Sequence, residues 1–136
     1  LLFTYVLVHD VPPLEPGLYY YVPARHELRL VRKGDFRHEA HHFCLEQDLG
    51  RDAAALVIHT THLARAVARH GDRAYRYLHL DAGHIGQRLG LAAAGLGLGA
   101  SGIGGFYDNE VTRLIGDPEQ DVVAYITTLG PQPARE

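Results

Sequence analysis

Tyr75 to Phe106 reads YRYLHLDAGHIGQRLGLAAAGLGLGASGIGGF. The first two thirds of this stretch predict one long helix. Apolar or aromatic side chains fall at Tyr75, Leu78, Ala82, Ile85, Leu89, Ala93 and Leu96. Steps of three and four residues put them on one stripe, the pattern of a helix with a buried face. Gly83, Gly86, Gly90 and Ala94 form a second line of small residues beside it. A glycine inside a helix costs about 1 kcal/mol against alanine, so the line needs a reason. Close approach of another helix supplies one, because a missing Cβ lets two backbones nearly touch. Gly95, Gly97 and Gly99 then offer the left-handed turn that ends the helix. The segment beyond, Ala100 to Phe106, reads as a loop of bare backbone N–H groups open to a flat ligand.

Upstream, Phe3–Val8 is rich in β-branched and aromatic residues and reads as a strand. Pro16-Gly17 turns the chain into Leu18–Val22, and Glu27–Arg32 alternates polar with apolar, which predicts a hairpin with one wet face. Arg37–Asp48 reads as a short helix, Ala53–Thr60 (AAALVIHT) as a buried strand and His62–His70 as a further helical piece closed by Gly71. Downstream, Asn109–Ile115 reads as a helix with Asp108 as N-cap, and Asp121–Leu129 as a last strand. Strands and helices mix without strict alternation, which predicts an α+β sheet and not a doubly wound parallel one.

A chain of 136 residues suits one domain. It opens on Leu1 and contains no Met, which reads as a trimmed or processed portion of a longer protein. With 13 basic against 16 acidic residues, nothing points to a nucleic-acid or anionic-membrane surface. There is no apolar run long enough to span a bilayer. Leu1–Val8 lacks a basic leader and a small-residue cleavage site, so it reads as a strand and not as a signal peptide. A lone cysteine, Cys44, excludes an internal disulfide and fits a reducing, cytoplasmic setting.

Several motifs carry potential chemistry. His38-Glu39-Ala40-His41-His42 matches H-E-x-x-H, in which two histidines on one helix face bind zinc beside a glutamate base. Its helix is short, follows a turn and has little apolar backing, so a solvated helix start is the reading and no metal site is assigned. Gly97–Gly102 matches G-x-G-x-x-G, but a dinucleotide fingerprint leaves a strand and opens a helix, whereas this one leaves a helix. A glycine-rich helix stop or a flavin-edge loop is the better reading. Arg65, Arg69, Arg73 and Arg76 recur at helical spacing around His70, as a solvated basic face or an anion contact. Cys44 reads as a small core residue.

The order LEPGLYYYVPARHELRLVRKGD, EQD, AALVIHT and GDRAYRYLHLDAGHIGQRLGLAAAGLGLGASGIGGFYDNEV resembles the nitroreductase superfamily. Within it the chain is most similar to SagB-type dehydrogenases, which include the azoline oxidases of thiazole and oxazole peptide biosynthesis. The resemblance runs from about Phe3 to Gly130, and Ala82–Gln87 (AGH-x-x-Q) with the downstream IGGF is its most specific part. It implies a mixed or antiparallel sheet flanked by helices, with a long central helix and FMN bound at a homodimer interface. The flavin edge would face the backbone N–H groups of Gly104 and Gly105. A reduced flavin carries negative charge near N5 and O4, and fixed donors on a glycine backbone suit it. Arg135 would supply a phosphate contact.

Two positions depart from the family pattern. Its opening helix, with Arg-x-Ser-type phosphate contacts, has no counterpart, so 1–136 resembles a C-terminal portion. Where azoline dehydrogenases carry a Lys-Tyr pair before the glycine that precedes the long helix, this chain has Arg69-His70. Arginine stays charged and is no base, whereas histidine moves a proton near neutral pH. The resemblance thus implies an FMN-dependent oxidoreductase acting on a small molecule or modified peptide, with His70 as proton acceptor and Arg69 as an electrostatic contact. The rival readings are a non-catalytic scaffold of the same fold that dimerises or docks a peptide, and an unrelated α+β domain.

Overall fold

Every strand among the described residues pairs antiparallel. The computed structural model describes residues 1–134. It places β1 (Phe3–Val8), β2 (Gly17–Val22), β3 (Glu27–Lys33), β4 (Ala55–Thr61), β5 (Leu98–Ile103) and β6 (Val122–Pro131) in one sheet, ordered β3-β2-β1-β4-β6-β5. Five helices complete an α+β fold: α1 (Arg37–Phe43), α2 (Asp48–Asp52), α3 (Leu63–His70), α4 (Ala74–Gly95) and α5 (Asp108–Ile115).

Alternation along the strands sorts the two faces. Tyr5 and Leu7 of β1, Leu18 of β2, Leu56 and Ile58 of β4, Ile103 of β5 and Ile126 of β6 form the main core. Ala40 and Phe43 of α1 and Val111 and Leu114 of α5 pack against them. Burial of a large aliphatic side chain contributes about 1.5–3 kcal/mol, so this layer dominates stability. β4 is buried at all seven positions, the apolar Ala55–Ile58 and the polar His59, Thr60 and Thr61 alike. Val57, His59, Tyr125 and Thr127 point to the opposite face, which α4 covers over β5 and β6. A smaller cluster of Ala66, Ala74 and Leu78 joins α3 to α4.

The long helix is present, but its stripe is shorter than its periodicity predicts. Leu78, Ala82 and Ala93 are buried, while Tyr75 and Leu96, in the terminal turns, are exposed. The line of small residues is also split. Gly86 faces the sheet, where a Cβ would come within 2.8 Å of the Tyr125 ring, while Gly83 and Gly90 border open space. At 100° per residue Gly90 lies about 20° from Gly83, while Gly86 lies about 60° from Gly83 and about 40° from Gly90, which turns Gly86 furthest toward the sheet.

Three further readings are corrected. Arg37–Asp48 is not one helix: Leu45 and Glu46 adopt left-handed backbone at φ 58° and 56° and separate α1 from α2. Leu98–Ile103 is not loop but an edge strand, because β6 supplies a pairing partner for each of its residues. Tyr107, and not Asp108, is the N-cap of α5; Asp108 opens the helix as an acidic first-turn residue.

Candidate functional site

The turn after α4 sets the site. Gly97 adopts φ 71° and reverses the chain into β5, which runs back beneath α4. The G-x-G-x-x-G match therefore spans this turn and an edge strand. β5 ends at Ile103, buried against Ile126. Gly104 and Gly105 follow as exposed, irregular backbone. Phe106 packs on the core, and the Tyr107 N–H donates to the Phe43 carbonyl at 2.8 Å. The two glycines are thus held at both ends.

Among the described residues, neither the Gly104 nor the Gly105 N–H has a backbone hydrogen-bond partner. A Cβ on Gly104 would meet open space, and one on Gly105 would lie 3.1 Å from Leu45 Cδ1. Two adjacent free donors on anchored, accessible backbone fit the edge of an anionic heterocycle. Beside them lies a cleft of about 610 Å³ lined by His42, Phe106, Tyr107, Asp108, Asn109 and Glu110. The His42 and Tyr107 rings meet there at 5.2 Å, and His42 Nδ1 lies 3.0 Å from Glu46 Oε1. Periodicity carried no signal for this pairing, which depends on the break at Leu45-Glu46.

Arg69 and His70 form the exposed last turn of α3, where Gly71 at φ 70° ends the helix. The His70 ring meets Tyr77 edge-on at 6.3 Å. In one copy this pair is remote from Gly104. Gly86 and Gly102 border the same Tyr125 ring, and the helix from Ala74 back to Gly86 is about 18 Å long. Arg135 lies outside the described residues.

The other flagged groups have structural surroundings. Of the H-E-x-x-H residues, His41 reaches Asp48 at 3.3 Å and His42 reaches Glu46. No group of three or more His, Cys, Asp or Glu that could hold a metal occurs among the described residues. Arg65 pairs with Glu119 at 2.7 Å. Cys44 is fully buried, and burial pushes its thiol up to about 12, so it is a core residue. His59 is buried in β4, opposite Tyr125 of β6. Its Nδ1 lies 3.1 Å from Thr4 Oγ1, and its Nε2 has no partner among the described residues. Burial holds its pKa at about 4, so the ring is neutral.

The family described as "Nitroreductase family" matches residues 4–130. A candidate nitroreductase of Methanocaldococcus jannaschii is 36% identical over 111 residues, which cover 82% of this chain and 56% of that protein. Among solved structures, a candidate nitroreductase of Anabaena variabilis is 55% identical and superposes with a TM-score of 0.94 over 98% of this chain and 27% of its own. The Escherichia coli microcin synthetase McbBCD complex, with truncated pro-MccB17 bound, shares the fold at a TM-score of 0.80 and 16% identity, covering 98% of this chain and 52% of its own. The chain thus spans about half the length of the curated relative it matches. Among the described residues, no helix is long and apolar enough to cross a membrane.

Proposed function

The chain belongs to the nitroreductase family, and from that premise we propose that 1–136 is one domain of a cytoplasmic, FMN-dependent oxidoreductase of the SagB-like dehydrogenase type. The observation that carries this reading is the pair of N–H groups at Gly104 and Gly105, without a backbone partner among the described residues, on anchored, exposed backbone. When bound, FMN supplies hydride acceptance at N5. The two glycine N–H groups would orient that edge and stabilise negative charge on it, and Arg135 would hold the phosphate. The substrate is a small molecule or a modified peptide; the microcin synthetase complex of the same fold has a truncated pro-peptide bound.

His70 takes the substrate proton, and Arg69 holds the substrate by charge. Because His70 and Gly104 are far apart in one copy, the reading requires a homodimer in which a second copy brings them together. The same separation favours the rival reading, a non-catalytic scaffold.

Titration of the protein with FMN, followed by flavin fluorescence, tests the cofactor site. Gly104→Pro removes one donor, and Ile103 before it is already in the extended strand conformation that a residue preceding proline favours. It is expected to weaken FMN binding at least about tenfold, since a hydrogen bond to a charged group contributes about 1.5–3 kcal/mol. Equal affinity in the two proteins would overturn the placement of the flavin edge.

A further inference from the structure

Two glycines on different elements face one aromatic ring. At Gly102 of β5 a Cβ would fall 1.6 Å from Tyr125 Oη and 2.6 Å from Cζ. At Gly86 of α4 a Cβ would fall 2.8 Å from Tyr125 Cε1 and 3.2 Å from Cδ1. Real Cβ atoms do not approach so closely, so neither position accepts a side chain while the ring stays in place. The Tyr125 ring therefore fills a slot whose walls are helix backbone and edge-strand backbone. Ladder pairing of β5 with β6 stops at Ile103↔Ile126, one step before Tyr125 would pair with Gly104. The ring thus sits where β5 leaves the sheet and becomes the exposed glycine pair.

We propose that Tyr125 is a positioning residue, whose ring sets the gap between α4 and β5 and thereby fixes where the Gly104 and Gly105 N–H groups point. An edge strand has one neighbour, so β5 is held by β6 alone in the sheet and by α4 from above. A rigid ring with two rotatable bonds is a spacer that aliphatic side chains do not reproduce. Removing it lets β5 relax toward α4 and turns the two donors. This inference rests on the flavin reading for its consequence, but not for its geometry.

The test uses the isotope-labelled protein and three variants. In Tyr125→Val, which keeps β propensity but empties the slot, the N–H residual dipolar couplings of Gly104 and Gly105 are expected to change while those of β1–β3 stay the same. Tyr125→Phe keeps the ring, so both glycine couplings should remain near their original values. FMN affinity should fall about tenfold in Tyr125→Val and less than about twofold in Tyr125→Phe. Tyr125→Leu serves the same comparison if the valine variant does not fold. Unchanged glycine couplings in Tyr125→Val or Tyr125→Leu would overturn the proposal. If the unmodified protein binds no FMN while the glycine couplings still change in Tyr125→Val, the cofactor reading fails and the positioning role stands.

Discussion

His59 shows how one buried side chain makes stability depend on pH. Its ordinary value is 6.5, and burial lowers it to about 4 in the fold. Between those values the unfolded chain binds a proton that the folded chain refuses. Stability is therefore fully present above about pH 6.5 and is lost as pH falls toward 4, by about 1.4 kcal/mol per pH unit from this group. His9 is lowered by burial too and acts in the same direction. Thermal unfolding of His59→Leu, which cannot titrate, is expected to lose most of that slope; a curve parallel to the unmodified protein would contradict it. Gly86 supplies a second prediction. Gly86→Ala should destabilise, because its Cβ meets the Tyr125 ring, although alanine favours the helix by about 1 kcal/mol. A gain in unfolding temperature would show that the ring yields. The sequence marked Gly86 as special but gave it the wrong neighbour, since spacing alone does not say which of two helix faces is buried.

At the scale of elements, α4 is the case where periodicity succeeded and was incomplete. Its buried stripe was legible because Leu78, Ala82 and Ala93 recur at helical spacing. Its outer face was legible only as small residues, yet Leu80 and Leu91 are 60% and 65% exposed there, beside the open Gly83 and Gly90. Such apolar exposure on a covering helix suits self-association. The paired change Leu80→Glu with Leu91→Glu is expected to yield monomers in sedimentation without loss of helix content. A monomeric unmodified protein would remove the dimer from the functional reading. β5 was illegible for a different reason. Leu98-Gly99-Ala100-Ser101-Gly102-Ile103 has little strand propensity of its own. It is extended because β6, distant in sequence, pairs with it. The break after α1 also lacked a signal, because Leu45 and Glu46 adopt left-handed backbone without glycine.

For the whole molecule, the two halves of the sequence-derived site stand apart. Gly104 and Gly105 are exposed backbone at the end of β5, while Arg69 and His70 lie at the far end of α4. Neither composition nor spacing contains that separation; it follows from β5 folding back along the helix. If a second copy closes the gap, His70→Asn should slow substrate-driven flavin bleaching by about 10²–10⁴-fold in stopped flow and leave FMN affinity unchanged. A rate within about threefold of the unmodified protein would remove His70 as the base and favour the scaffold. The strand order β3-β2-β1-β4-β6-β5 has a further result for how the molecule comes into being. The last strand made is inserted between two made earlier, and β5 has no other sheet neighbour. During synthesis β1 to β4 can pair as each emerges, but on its β5 side the glycine pair remains unsupported until Val122–Pro131 has left the ribosome. The loop that would read the cofactor thus acquires its shape only once β6 is in place, and β6 itself joins the sheet through its pairing with β4, the pairing of greatest sequence separation.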